Sequence, residues 1–329
     1  MNAISLGIIG CGRATQQLHL PALRAVPDMN VMALADIAPE QLQKAGKTSS
    51  AQHLYESGEK LIGDSSVEAI AVCTPPDAHA NLVVQALGAG KHVFVEKPLA
   101  LSLPDAEEMV RAERAAEKVA AIGFNLRFHR FIQRARSLIA SGQLGDIIQI
   151  VTAWSAPTAT NFGGGVLFDL GVHHIDACSF LLANSIKDAR VLARVGPSDG
   201  ESVSLLARSS SGTLISSSFS YSPAAFNEFR IVGTRRSVSF SLTDATNFNV
   251  FDPSRPQQGL RAHLSRLRSL GDFPSLVRAV GSGGDYMLSY REEWKAFAAA
   301  VRGEARAVPT LADGLAAQKV IHAAIANAN

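Results

Sequence analysis

Short apolar runs recur through the first third of the chain, and each stops at a glycine, a proline or a charge. Leu6-Gly7-Ile8-Ile9, Val31-Met32-Ala33-Leu34-Ala35, Ala69-Ile70-Ala71-Val72-Cys73, Val93-Phe94-Val95 and Val119-Ala120-Ala121-Ile122 read as buried strands, with His53-Leu54-Tyr55 as a weaker one. Helical spacing fills the gaps: Thr15 to about Val26, Glu59 to Ile62, Asp77 to Leu87, and a helix opened by Ser102-Leu103-Pro104-Asp105 with Ser102 as its cap. Strands apolar on both faces, alternating with helices, predict a doubly wound parallel sheet.

The pattern changes at Gly123-Phe124-Asn125. This predicts an α/β chain with a first domain over residues 1–122 and a second over residues 123–329, the last helices packing back on the first. Phe131 to Ser141 reads as a helix with a solvated basic face, and Ile147 to Trp154 as a long strand. Val203–Leu206, Thr213–Ser216, Phe229–Val232 and Ser237–Phe240 alternate apolar with polar residues, which predicts an antiparallel sheet with one face covered. Tyr286 to Arg302 and Leu311 to Ala326 read as helices, the first with an apolar stripe of Leu288, Trp294, Phe297 and Val301. Asp252 to Gly284, with Arg261, Arg266, Arg268 and Arg278, has no assignable register.

Candidate chemistry collects where the first strands end. Gly10-Cys11-Gly12 follows a strand and precedes a helix, the context of a dinucleotide turn. Gly10 permits the turn, and Gly12 lets the backbone approach a pyrophosphate at the helix N-terminus. Thr15 stands where a third glycine or alanine is usual; its side chain either holds helix and strand apart or turns its hydroxyl toward the phosphate. Asp36 ends the second strand 24 positions after Gly12, suiting a ribose-binding carboxylate and equally a helix cap. Ile37-Ala38-Pro39-Glu40 supplies no cation for a 2′-phosphate, which favours NAD over NADP. Glu96 and Lys97 close Val93-Phe94-Val95 before Pro98, either as a solvated charge pair or as chemistry at the ligand-binding edge.

A second cluster follows Gly163-Gly164-Gly165. On a helix Asp169, His173 and Asp176 share one face, while His174 points about 100° away. A carboxylate beside an imidazole suits proton transfer near neutral pH. The same residues would serve in a buried polar network or, with His174, in a metal site.

Composition narrows the partners. Of 329 residues 47% are apolar and 18% charged, and the formal net charge is +2, giving no reason to expect nucleic acid or a membrane surface as partner. Cys11, Cys73 and Cys178 are too scattered for a disulfide framework or a Cys-rich metal site. Met1-Asn2-Ala3-Ile4-Ser5 carries no basic region, so a cytoplasmic location is expected.

Taken together, Gly7-Ile8-Ile9-Gly10-Cys11-Gly12-Arg13 with His19-Leu20-Pro21-Ala22-Leu23, Cys73-Thr74-Pro75-Pro76-Asp77-Ala78-His79, Gly90-Lys91-His92-Val93-Phe94-Val95-Glu96-Lys97-Pro98 and the Asp169-x-Gly171-x-His173-x-x-Asp176 stretch resemble the glucose–fructose oxidoreductase/inositol dehydrogenase/MocA family over nearly the whole chain. The resemblance implies a Rossmann domain, then a domain on a large, open, mainly antiparallel sheet through which homodimers or homotetramers form. It implies NAD(P)-dependent redox chemistry between a secondary alcohol of a sugar, inositol or related polyol and nicotinamide. Lys97 would lie beside nicotinamide and substrate as the electrostatic stabiliser, Asp169 would bind substrate hydroxyls, and His173 would be the acid/base, oriented by Asp169 or Asp176. The expected cofactor residues are Gly10, Gly12, Arg13, Ala14, Asp36, Ile37, Thr74, Pro75, His79, Glu96 and Lys97; no resident metal is expected. Asn125, Arg127 and Trp154 would border the substrate, with specificity expected in the Trp154–Phe162 loop, the far sheet face and the Asp252–Gly284 stretch, and the Lys97-Pro98 bond is often cis in the family. Rival readings are a non-catalytic NAD-binding regulator, a metal-dependent hydrolase or lyase, and a family enzyme acting on nucleotide-linked or amino sugars.

Overall fold

The computed structural model describes residues 2–157, 164–195, 201–254, 283–304 and 307–328. Arg261, Arg266, Arg268, Arg278, His263, Gly163 and most of the expected specificity loop lie outside the described residues. The chain forms two compact units, Met1–Asn125 with Tyr290–Gln318, and Leu126–Ser289 with Lys319–Asn329.

In the first unit the strands are β1 (Ile4–Ile9), β2 (Met29–Ala35), β3 (His53–Tyr55), β4 (Ala69–Val72), β5 (His92–Val95) and β6 (Ala120–Ile122). They are all parallel, in the order β3-β2-β1-β4-β5-β6. Leu6, Ile8, Leu34, Ile70 and Phe94 are fully buried, because helices cover both faces and leave no room for polar alternation. Strand order reverses between β1 and β4, so the ligand crevice of such a sheet lies outside their carboxyl ends. The connecting helices are α1 (Leu20–Leu23), α2 (Pro39–Thr48), α3 (Gly58–Ile62), α4 (His79–Gly88) and α5 (Leu103–Ala116). Ser102 Oγ accepts from Asp105 N at 3.2 Å, the expected cap of α5. From the far end of the chain, Trp294 and Phe297 are buried in this unit, with the Trp294 ring 4.4 Å from that of Phe94.

The second unit holds α6 (Arg130–Ala140), β7 (Ile147–Ala156), α7 (Val172–Leu182), β8 (Ile186–Val195), β9 (Ser202–Ser209), β10 (Leu214–Tyr221), β11 (Phe226–Gly233), β12 (Ser237–Ser241) and β13 (Phe248–Phe251). Its sheet runs β13-β12-β11-β7-β10-β9-β8, antiparallel except for β10 against β7. Ile215, Ser217, Phe219, Asn227, Phe229 and Ile231 face the covered side and are buried, while Leu206, Leu214, Phe226 and Phe251 lie on the open one and are exposed. Two strands, β8 and β13, escape the apolar pattern. Asp188 has φ of 51° and the pairing of β8 slips twice, so its alternation is broken; β13 is only four residues long. The basic face of α6 is more than solvated: Arg134 stacks 4.2 Å over Phe248, Arg136 lies 3.8 Å over Phe180, and Arg130 pairs with Asp285 at 2.6 Å. The helices named last in the chain are α8 (Asp285–Val301) and α9 (Leu311–Ala326). Among the described residues no helix is long and apolar enough to cross a membrane.

Candidate active site

The carboxyl edge of the first sheet is built around a glycine turn. Gly10 has φ of +95°, and a Cβ on it would stand 2.6 Å from the carbonyl carbon and oxygen of Cys73. Only glycine lets the turn close onto the end of β4. A Cβ on Gly12 would meet nothing within 4 Å, so no protein atom demands glycine there, and the open space suits a close pyrophosphate. Thr15 takes neither of its expected roles. It is fully buried and its Oγ1 donates to the Gly10 carbonyl at 2.5 Å, locking the turn from beneath. The first helical turn there is wide, with Leu20 N–H reaching back five residues to Thr15 O.

Asp36 joins this turn to the second βα unit. Cys11 N–H donates to its Oδ2 at 2.6 Å and Ala38 N–H to its Oδ1 at 2.7 Å. The residue capping α2 is Ala38, so Asp36 braces the loop from just before the helix. Arg13 and Pro75 are exposed at the edge, Ala14 is half-buried, and Ile37 is 88% exposed. Thr74 Oγ1 is buried without a hydrogen-bond partner, a polar atom waiting for a ligand at the switch point. The open glycine turn, the Asp36 carboxylate and this orphaned hydroxyl fit a dinucleotide.

Two expected cofactor residues point inward instead. His79 is fully buried, with Nδ1 3.1 Å from Pro98 O and 3.2 Å from Leu99 O, and Nε2 2.9 Å from Thr74 O. It ties the loop after β4 to the loop after β5, and burial pushes it below the ordinary histidine value despite those carbonyls. Glu96 is buried at the end of β5, its Oε1 2.8 Å from His19 Nε2 and its Oε2 accepting the Lys97 N–H at 2.9 Å. Burial raises its carboxyl, but the His19 bond and the charge and N–H of Lys97 outweigh this, and the net shift is downward. Lys97 is half-buried on the same edge, and the Lys97-Pro98 bond is cis. Asn125 is buried at the end of this unit.

In the second unit Leu167–Gly171 forms another wide turn, Val172 N–H bonding to Leu167 O, and runs straight into α7. Asp169, His173, His174 and Asp176 are all buried. Tyr221 Oη donates to Asp169 Oδ2 at 3.3 Å, and burial followed by the Asp169 charge pushes the phenol upward, so it stays a donor. The Trp154 ring lies 5.4 Å from that of His173 and stacks on His174 at 5.3 Å. His174 faces the sheet, its Nε2 2.9 Å from Asn227 Oδ1, and burial pushes it down to about 3. Asp176 receives the fork of Arg127, Nε at 2.9 Å and Nη2 at 2.5 Å. Arg127 therefore secures α7 through both oxygens of Asp176, whereas Asp169 receives the Tyr221 hydroxyl. Among the described residues no three His, Cys, Asp or Glu side chains are grouped to hold a metal ion.

Sequence reasoning missed the roles of His19, Tyr221 and Asn227. Tyr221 was within reach: it continues the Ile215, Ser217, Phe219 face of β10, beside Ala156 of β7. His19 had no such signal, since its partners Glu96 and Trp294 are 77 and 275 positions away.

Residues 4–124 match the oxidoreductase family with an NAD-binding Rossmann fold, and residues 132–239 match the GFO/IDH/MocA C-terminal domain. A myo-inositol 2-dehydrogenase of Thermotoga maritima is 28% identical over 56% of this chain and 56% of its own, so the match spans little more than half of that relative. An inositol 2-dehydrogenase of Rhizobium meliloti is 24% identical over 98% of this chain and 96% of its own. The crystal structure of an oxidoreductase domain protein from Kribbella flavida shares the fold, with a TM-score of 0.80 at 23% identity, covering 98% of this chain and 96% of that one.

Proposed function

Because the chain belongs to the Gfo/Idh/MocA oxidoreductase family, we propose that it oxidises a secondary alcohol of a sugar, inositol or related cyclic polyol with NAD, or reduces the corresponding ketone. The supporting observation is Lys97, set by Glu96 on the same sheet edge as the glycine turn, Asp36 and the orphaned Thr74 hydroxyl.

Gly10, Gly12, Asp36 and Thr74 would hold the dinucleotide, whose nicotinamide supplies hydride chemistry when bound. Asp36 favours NAD, because its carboxylate would repel a 2′-phosphate and residues 37–40 offer no cation to offset it. His173 takes the proton of the reacting hydroxyl in oxidation and returns it in reduction. Lys97, as a cation, stabilises the charge developing on that oxygen. Asp169, with Tyr221 bonded to one oxygen, accepts a hydrogen bond from a substrate hydroxyl. The names of the inositol dehydrogenase relatives support the substrate class. Copies of the chain associate through the open sheet face, where Leu206, Leu214, Phe226 and Phe251 are exposed, and light scattering on the purified protein tests this.

The test is NADH formation across a panel of inositols, aldoses and their keto forms, with Lys97→Met and His173→Gln alongside. Both variants should bind NAD and lose turnover by about 100-fold or more. Turnover surviving both changes, or NAD binding without reduction by any polyol, defeats the proposal.

A further inference from the structure

A buried chain of hydrogen bonds in the first unit runs from the C-terminal part of the sequence to the backbone of Lys97. Trp294 Nε1 lies 3.3 Å from His19 Nδ1. His19 Nε2 lies 2.8 Å from Glu96 Oε1, and Glu96 Oε2 accepts the Lys97 N–H at 2.9 Å. His19 and Trp294 are wholly inaccessible and Glu96 is 8% exposed.

The direction of each bond follows from the donors available. Indole N–H only donates, so His19 Nδ1 must accept. Its other nitrogen then carries the hydrogen and donates to Glu96; against the cost of burial, the Cys73 sulfur bonded to the ring and Glu96 both favour the protonated imidazole, which Trp294 opposes by needing Nδ1 as an acceptor. The imidazole is clamped edge-on against Phe94, Tyr290 and Trp294, at centroid distances of 5.7, 5.4 and 5.7 Å, so the ring cannot turn to exchange its nitrogens without disturbing three aromatic neighbours. Glu96 is confined as well: a Cβ on Gly123 would press on its Oε1 at 3.1 Å. The ring also belongs to the helical segment that follows the glycine turn, so one side chain couples that segment to the end of β5.

We infer that His19 is a positioning residue for Lys97: held in one tautomer by Trp294, it fixes the Glu96 carboxylate that orients the Lys97 backbone and keeps an anion beside its ammonium. The role rests on the proposed place of Lys97 in the reaction. A side chain that only filled space here would need neither a donor toward Glu96 nor an acceptor toward Trp294.

Three single variants of the full chain test this: His19→Phe keeps an aromatic ring, His19→Gln keeps one donor and one acceptor, and Trp294→Phe removes the indole N–H. Lys97 reactivity is read by competitive acetylation and mass spectrometry, against the exposed Lys44 and Lys47. Turnover, the KM for NAD and melting temperature are measured in parallel. In His19→Phe, Lys97 should acetylate several-fold faster near pH 8 and kcat should fall about 10- to 100-fold, with the KM for NAD within about threefold of the parent. His19→Gln should restore both, and Trp294→Phe should move both the same way by less. Unchanged Lys97 reactivity in His19→Phe and Trp294→Phe, or equal impairment in His19→Gln and His19→Phe at matched melting temperatures, overturns the inference. If the parent turns over no polyol, the functional proposal fails while the acetylation profile still decides the role of His19.

Discussion

Cys11 N–H donates to the Asp36 carboxylate at 2.6 Å, so the residue inside the glycine turn and the acid ending β2 form one bonded unit. That acid has its second oxygen on Ala38 N–H at 2.7 Å, which fixes its orientation before any ligand arrives. Asp36→Ser should therefore weaken NAD and relieve the repulsion of NADP together. The ratio of kcat/KM for NAD to that for NADP should fall about 10- to 100-fold, or about 1.4 to 2.8 kcal/mol. An unchanged ratio would show that Asp36 serves only the loop.

Thr15 tests the turn from below. Its buried hydroxyl bonds to Gly10 O at 2.5 Å, and Thr15→Val keeps the shape while removing that donor. The expected loss is about 1 to 3 kcal/mol. A thermal melt should show the first unit destabilised, and the KM for NAD should rise because Gly10 is freer to move. A melt matching the parent would mean that Gly10 O finds another donor.

These two residues also show where reading the sequence succeeds and where it stops. The parallel sheet was legible because β1, β2, β4 and β5 are buried on both faces and cannot alternate. The turn, Asp36 and Lys97 were legible because they sit at strand ends, where local order fixes their place on the sheet. Thr15 was noticed, but the direction of its hydroxyl depends on a carbonyl five residues back that only the wide turn brings near. Asp176 looked equivalent to Asp169 on one helix face until Arg127, 49 positions earlier, took both of its oxygens. His19 entered only as part of the His19–Leu23 stretch of the family resemblance; its role lay beyond local patterns, because its partners are 77 and 275 positions away.

Tyr221 should act on affinity more than on chemistry. Its Oη bonds to Asp169 Oδ2 at 3.3 Å, and it remains protonated because burial and then the Asp169 charge raise its pKa. Tyr221→Phe removes that donor and leaves the ring. The KM for the polyol should rise about 3- to 10-fold, equivalent to about 0.5 to 1.5 kcal/mol, with kcat within about twofold. A fall in kcat with KM unchanged would place Tyr221 in the proton transfer instead.

His174 makes the second unit acid-sensitive, and the sign follows from its burial. The ring is fully inaccessible, is stacked on Trp154 and faces Phe219, Phe229 and Asn227, and its folded-state pKa is pushed from 6.5 down to about 3. The unfolded chain binds a proton between those values while the folded chain does not, so stability present above pH 6.5 is lost as the pH falls. The slope is about 1.4 kcal/mol per pH unit for one such group. His129, pushed down to about 4 by burial, adds to the same trend. Replacing His174 by Gln keeps an N–H for Asn227 and removes the titration. Urea unfolding followed by Trp154 fluorescence, in a Trp294→Phe background where it is the sole tryptophan, should show the parent losing stability from pH 7 to pH 5. His174→Gln should be less stable at pH 7 but about 2 kcal/mol less sensitive to that change. Equal pH dependence in the two proteins would mean that His174 is already free to take a proton in the folded state.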